Sequence, residues 1–163
     1  MSILHTLIAS RAMALSALYQ DTPLWPEGTT FTDADIWCGP QSLTVLAADR
    51  GTPCVLIAPS GTRVEGDEHR TIVIATIREC VSRAGRGRPT ALQIDCDLQA
   101  LEARVLDSLL LKNPNAHHRK TCLLRSAGAQ ATLRARLAPS VRPGDLLALT
   151  CTGTIALAQI RLH

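Results

Sequence analysis

Cys38 is followed by Gly39 and Pro40 and then by "QSLTVLAADRG", a run that suits a short helix with Pro40 in its first turn and Gly51 just beyond its end. A thiol at a helix N-terminus meets the positive end of the helix dipole, which lowers its pKa and makes thiolate available. His69 opens "HRTIVIATI" and supplies a candidate general base, and Asp95 or Asp97 downstream supplies an orienting carboxylate. Nucleophilic catalysis needs those residue types. The competing expectation is that Cys38 is an inert apolar residue in a loop-to-helix corner, with Trp37 packing beside it and Gly39-Pro40 making the bend.

"CGPQSLTVLAADRG" resembles the nucleophile segment of papain-like bacterial cysteine peptidases, where CGP opens a helix and a histidine at the start of a strand acts as base. The resemblance implies a thiol hydrolase using Cys38 and His69. The chain departs from that pattern in three ways. Too few residues separate Cys38 from His69 for the helices such peptidases insert there. Residues 32–37 read TDADIW and lack the oxyanion glutamine. His69 is followed by Arg70 rather than by an aromatic or small apolar residue. The inert corner is therefore the favoured reading, with no catalytic residue assigned.

Other reactive side chains form no site. His117 and His118 are neighbours in a loop, so they point apart, and no third ligand lies near them in sequence. "GRGRP" lacks the spacing of a phosphate loop. Asp67 and Glu68 are adjacent and suit a charged turn better than an acid/base pair. The six cysteines (38, 54, 80, 96, 122 and 151) contain no CxxC pair and no zinc spacing. They are expected as reduced, buried small hydrophobes of a cytosolic product. No metal and no cofactor is expected.

Charge is uneven along the chain. Residues 1–62 hold two basic and five acidic groups, net −3, whereas residues 63–163 hold fifteen basic and nine acidic groups, net +6. Such polarity suits head-to-tail association of copies and allows nonspecific DNA contact. The four aromatic residues, Tyr19, Trp25, Phe31 and Trp37, all lie early in the chain. That argues against base-stacking platforms for single strands. Neither a secretory leader nor an apolar run of membrane-spanning length is expected.

These residues must be positioned by a single domain of 163 residues. "SILHTLIASRAMALSALYQ" places Leu4, Ile8, Ala12, Leu15 and Tyr19 on one helical face. "TPLWPEGTTFTD" reads as an irregular connection with Trp25 or Phe31 tucked onto the core. "TPCVLIAP" predicts a strand over 53–58. "SGTRVEGDEH" predicts a turn or flexible hairpin tip. "RTIVIATIREC" predicts a central strand covered on both faces, Ile72 and Ile74 on one and Val73, Ala75 and Ile77 on the other. "VSRAGRGRPT" predicts a mobile basic loop. "DLQALEARVLDSLLLK" predicts a second long helix, capped by Asp97, with Leu98, Leu101, Val105 and Leu109 buried. "TCLLRSAG", "ATLRARL", "DLLALTC" and "TIALAQIRLH" predict strands, with a turn at 142–145. The expected fold class is α+β: a mostly antiparallel sheet with two main helices packed on one face.

The order of these elements, with "TPCVLIAPSG", "RTIVIATIREC" and "LEARVLDSLLLK" as its core, resembles the small α+β tail-terminator and related neck (head–tail joining) proteins of long-tailed bacteriophages over roughly residues 1–112. The resemblance implies a structural virion protein, not an enzyme, assembled in the bacterial host cytoplasm. It would form a homo-oligomeric ring, usually a hexamer, between a tail-tube protein and a head-connector protein. The tip at 61–69 and the loop at 82–90 are the expected contacts with neighbouring subunits. Their charged residues, Arg63, Glu65, Asp67, Glu68, Arg70, Arg83, Arg86 and Arg88, are the interface candidates.

Overall fold

Consecutive branched residues in "RTIVIATIREC" leave no polar face, so the strand they form has to be covered on both sides. The computed structural model shows how. It describes residues 24–62, 64–82, 90–128 and 130–162. The helix expected over 2–20 lies outside the described residues, as do Arg63, Arg83, Arg86 and Arg88. The described strands are β1 (Thr29–Phe31), β2 (Ile36–Cys38), β3 (Gln41–Ser42), β4 (Cys54–Pro59), β5 (His69–Val81), β6 (Thr90–Ile94), β7 (Val105–Leu110), β8 (Lys120–Ser126), β9 (Thr132–Leu137) and β10 (Leu146–Thr152). The helices are α1 (Leu43–Arg50) and α2 (Leu157–Ile160).

Of the described residues, 46% are in strands and 9% in helix, so the expectation of α+β with two main helices on a sheet is wrong. The chain is mostly β, built around a nearly closed barrel. Its strands run in the order β7-β10-β5-β6-β8-β9, and β7 and β9, at the two ends of that path, lie against each other. Most neighbours are antiparallel, but β6 and β8 are parallel, with Leu92 opposite Leu124. β1, β2 and β3 form a separate small meander.

β5 divides two cores. Val73, Ala75 and Ile77 point into the barrel beside Leu92, Ile94, Leu124, Leu147 and Leu149. Ile72 and Ile74 point outward into a second cluster with Trp25, Ile36, Leu43, Leu46 and Ala148. The outer layer is thus α1, β2 and the Trp25 segment packed on the sheet. Trp25 is buried, meets Phe31 edge-on at 5.4 Å and donates from Nε1 to Asp107 Oδ2 at 2.9 Å. Fully burying each of these aliphatic side chains contributes about 1.5–3 kcal/mol.

β5 also changes partners along one edge. β4 pairs with it from His69 to Ile74, and β6 takes over from Ile77, with a bulge at Arg78 just after the first pair. Asp95 fills the gap. Its carboxylate accepts from the Thr76 N–H at 2.7 Å and from Thr52 Oγ1 at 2.6 Å, and Arg78 Nη2 lies at 3.3 Å.

The predicted second helix does not form. Residues after Asp97 make a brief turn, in which the Leu101 and Glu102 N–H groups both reach the Leu98 carbonyl, and the chain then enters β7. The reason is the bare edge of β10: Leu109 and Leu110 pair with Ala148 and Leu147, and that ladder overrides the segment's local helix propensity. Leu98 and Leu101 are buried as foreseen, but they close one end of the barrel with Ile155 and Ile160. "TIALAQIRLH" likewise gives the single turn α2 rather than a strand, with an isolated bridge from Arg161 to Cys96.

Candidate functional site

Cys38 ends β2, and the turn through Gly39 (φ +58°) leads to β3 before α1 begins. The N-cap of α1 is Ser42, whose Oγ accepts from the Val45 N–H at 3.1 Å. The helix dipole therefore acts at Ser42 and not at the thiol. Burial pushes the Cys38 pKa up, and the Thr29 hydroxyl offsets this only in part. His69 is exposed at the start of β5, opposite Pro59, whereas Cys38 sits in the outer core. Asp95 bonds to Thr76, seven residues along β5 from His69, which places it about 23 Å away at strand spacing. Asp97 instead caps its own turn by accepting from the Gln99 N–H at 2.9 Å. The geometry assembles none of these residues into a triad. Trp37, expected to pack, is 39% exposed.

Among its described residues, the tip between β4 and β5 is tied together by hydrogen bonds. Arg70, 3% exposed, holds both oxygens of Asp67, and the Ser60 and Thr62 hydroxyls donate to the Asp67 carbonyl. This guanidinium keeps the Asp67 carboxyl below its ordinary value. Of the interface candidates, Arg70 is thus an internal anchor of the tip, and Asp67 is its partner. Glu65 and Glu68 remain exposed at the surface, beside Val64, which is 64% exposed. Ile57 on β4 of the same hairpin is 45% exposed.

A surface that was not singled out from sequence lies on the outer side of β8 and β9. Burial alternates along "TLRARL": Ala135 and Leu137 are buried, while Thr132, Arg134 and Arg136 are exposed. On β8, Cys122 and Leu124 point inward and Arg125 outward. The register sets Arg125 opposite Thr132, Leu123 opposite Arg134 and Thr121 opposite Arg136, so the three arginines share one face. None of the ion pairs seen among the described residues, Arg70–Asp67, Arg78–Asp95 and Lys112–Asp145, engages them. A groove of about 310 Å³ flanks this face, lined among others by Arg125, Ala91, Gln93 and Glu79, and the register sets Gln93 between Arg125 and Glu79. The signal was present in the strand alternation of Arg134 and Arg136.

His117 and His118 are exposed, and the described residues contain no group of three potential metal ligands. No helix among them is long and apolar enough to cross a membrane. No family model matches the chain, and no curated protein is significantly similar to it.

Proposed function

We propose that this chain works as an assembly module, a structural protein of a tailed bacteriophage whose copies form a ring joining the tail tube to the head connector. The observation that carries this reading is the β4–β5 hairpin. Buried Arg70 holds Asp67 through both carboxylate oxygens, a contact within the chain that favours one arrangement of the described tip that carries Val64, Glu65 and Glu68. Pre-ordering a contact loop lowers the entropic cost of association. Ile57 and Val64 add exposed apolar area to the same hairpin, next to charges that can select a partner face.

The element order behind the resemblance loses its second helix, since 105–110 is a strand. It retains the proline-led strand, the polar tip, the long central strand and the closing strands. The barrel interior is filled with aliphatic side chains, which directs function to the outer surface. The thiol-hydrolase alternative draws no support from the geometry, because among the described residues Cys38 has neither a helix N-terminus nor a histidine beside it.

Self-association closed into a ring requires a heterologous interface, in which one patch meets a different patch on the next copy. Multi-angle light scattering at rising concentration, with negative-stain microscopy, reads this directly. Rings formed alone or with a tail-tube protein, and lost in Val64→Asp, support the reading. A strictly monomeric chain with no ring under either condition refutes it.

A further inference from the structure

The geometry points to the outer face of β8 and β9 as a binding surface for the phosphate backbone of duplex DNA, read without regard to sequence. Three arginines, Arg125, Arg134 and Arg136, project from adjacent strands of one rigid sheet with no carboxylate paired to them among the described residues. Arg134 and Arg136 are two positions apart on β9, about 6.8 Å along the strand. Thr121 and Thr132 stand across from Arg136 and Arg125 and add neutral hydroxyl donors to the same face. Guanidinium groups interspersed with hydroxyls are the donors that phosphate oxygens take up.

The composition of the face favours a polyanion over another protein. A protein interface needs an apolar centre, but here Leu123 is the one aliphatic residue between the arginines and it is itself partly buried. Among the described residues a second copy offers two neighbouring exposed carboxylates, Glu65 and Glu68 at the β4–β5 tip, fewer than the three arginines they would have to match. In the acidic part of the described chain, Asp35 is consumed by the Ile36 and Thr44 N–H groups and by the Ser42 and Thr44 hydroxyls. Glu27, Asp33 and Asp49 sit separately in a turn, in the β1–β2 connection and on α1. No aromatic residue lies on this face of β8 and β9, so it has no platform for stacking unpaired bases. Backbone contact with a duplex is the chemistry that remains. The inference is independent of ring formation.

Fluorescence anisotropy with a mixed-sequence DNA duplex tests it on the full chain. Counterion release contributes a slope of about 0.9 in log affinity against log salt per phosphate contacted, so three contacts weaken binding roughly 40-fold between 50 and 200 mM salt. Arg134→Ala/Arg136→Ala should bring that slope down to about one contact's worth, and Arg134→Lys/Arg136→Lys should restore it. Thermal melting confirms that each variant is folded. An unchanged slope in the alanine pair overturns the inference. So does a loss carried wholly by Arg83→Ala/Arg86→Ala/Arg88→Ala, or binding to anionic phosphatidylserine vesicles with none to duplex.

Discussion

Asp95 accepts a 2.7 Å hydrogen bond from the backbone N–H of Thr76, at the one place where β5 has lost β4 and not yet gained β6. A side chain thereby substitutes for a missing rung of the ladder. The same carboxylate holds Thr52, which leads into β4, so the two partner strands of one edge are joined through a single residue.

Asp95→Ala should therefore be costly. It strands the Thr76 N–H, and a buried polar group left unsatisfied costs about 1–3 kcal/mol. Denaturant unfolding should show a lower midpoint, with Asp95→Asn losing less because its amide oxygen still accepts. A midpoint for Asp95→Ala equal to wild type would contradict the bridging role.

Gly153 has φ +69°, and a Cβ there would sit 2.8 Å from Arg104 Nη2. Arg104 in turn donates to the Thr152 and Thr154 carbonyls at 2.8 and 3.0 Å. Gly144 has φ +91° but open space around it. Both alanine variants carry the backbone penalty of about 1–2 kcal/mol for a left-handed L-residue, and Gly153→Ala should lose more because it also displaces the arginine. Equal losses in parallel urea melts would show that the Arg104 clamp adds nothing.

The thiols should be unreactive in the folded protein and should sensitise it to alkali. Burial raises the pKa of all six cysteines, Cys151 to about 12 from an ordinary 9.0. Unfolded thiols ionise near their ordinary value while folded ones stay protonated, so this stabilisation is complete below about pH 9 and is lost as pH rises through the folded pKa. Melting temperature should fall through pH 9–11, less steeply in Cys151→Ala relative to its own neutral-pH value. Thiol-probe labelling at pH 8 should be slow until denaturant is added, and selective fast labelling of Cys38 would reopen the hydrolase alternative.

Asp67 works in the opposite sense. The Arg70 guanidinium lowers its pKa below the ordinary 3.8, so its contribution is present above about pH 4 and disappears as acid protonates it in the folded state. Asp67→Asn should lower the melting temperature at pH 7, and the gap to wild type should narrow towards pH 3. A gap independent of pH would mean that the carboxylate charge is not what Arg70 needs.

Local pattern determined those parts of the molecule where period and environment agree. Five consecutive apolar or small residues from Ile72 to Thr76 required a doubly covered strand, and Gly51 (φ +74°), placed just beyond the helical run, ends α1. Ser42 rather than Pro40 starts that helix, a shift of a few residues. The spacing of Leu98, Leu101, Val105 and Leu109 fits a helical stripe. It fits equally a capping turn followed by a strand, and a sequence window holds no information about which edge of a distant sheet is vacant. Leu109 and Leu110 became a strand because β10, some forty residues later, offered its backbone. The same reason governs the surfaces. Alternation in "TLRARL" put Arg134 and Arg136 on one side, but only the register of β9 on β8 brought Arg125 alongside them. Likewise Asp67 and Arg70 were visible as charges, and folding made one of them a buried anchor, because Asp67, itself held by Ser60, meets the guanidinium with both oxygens.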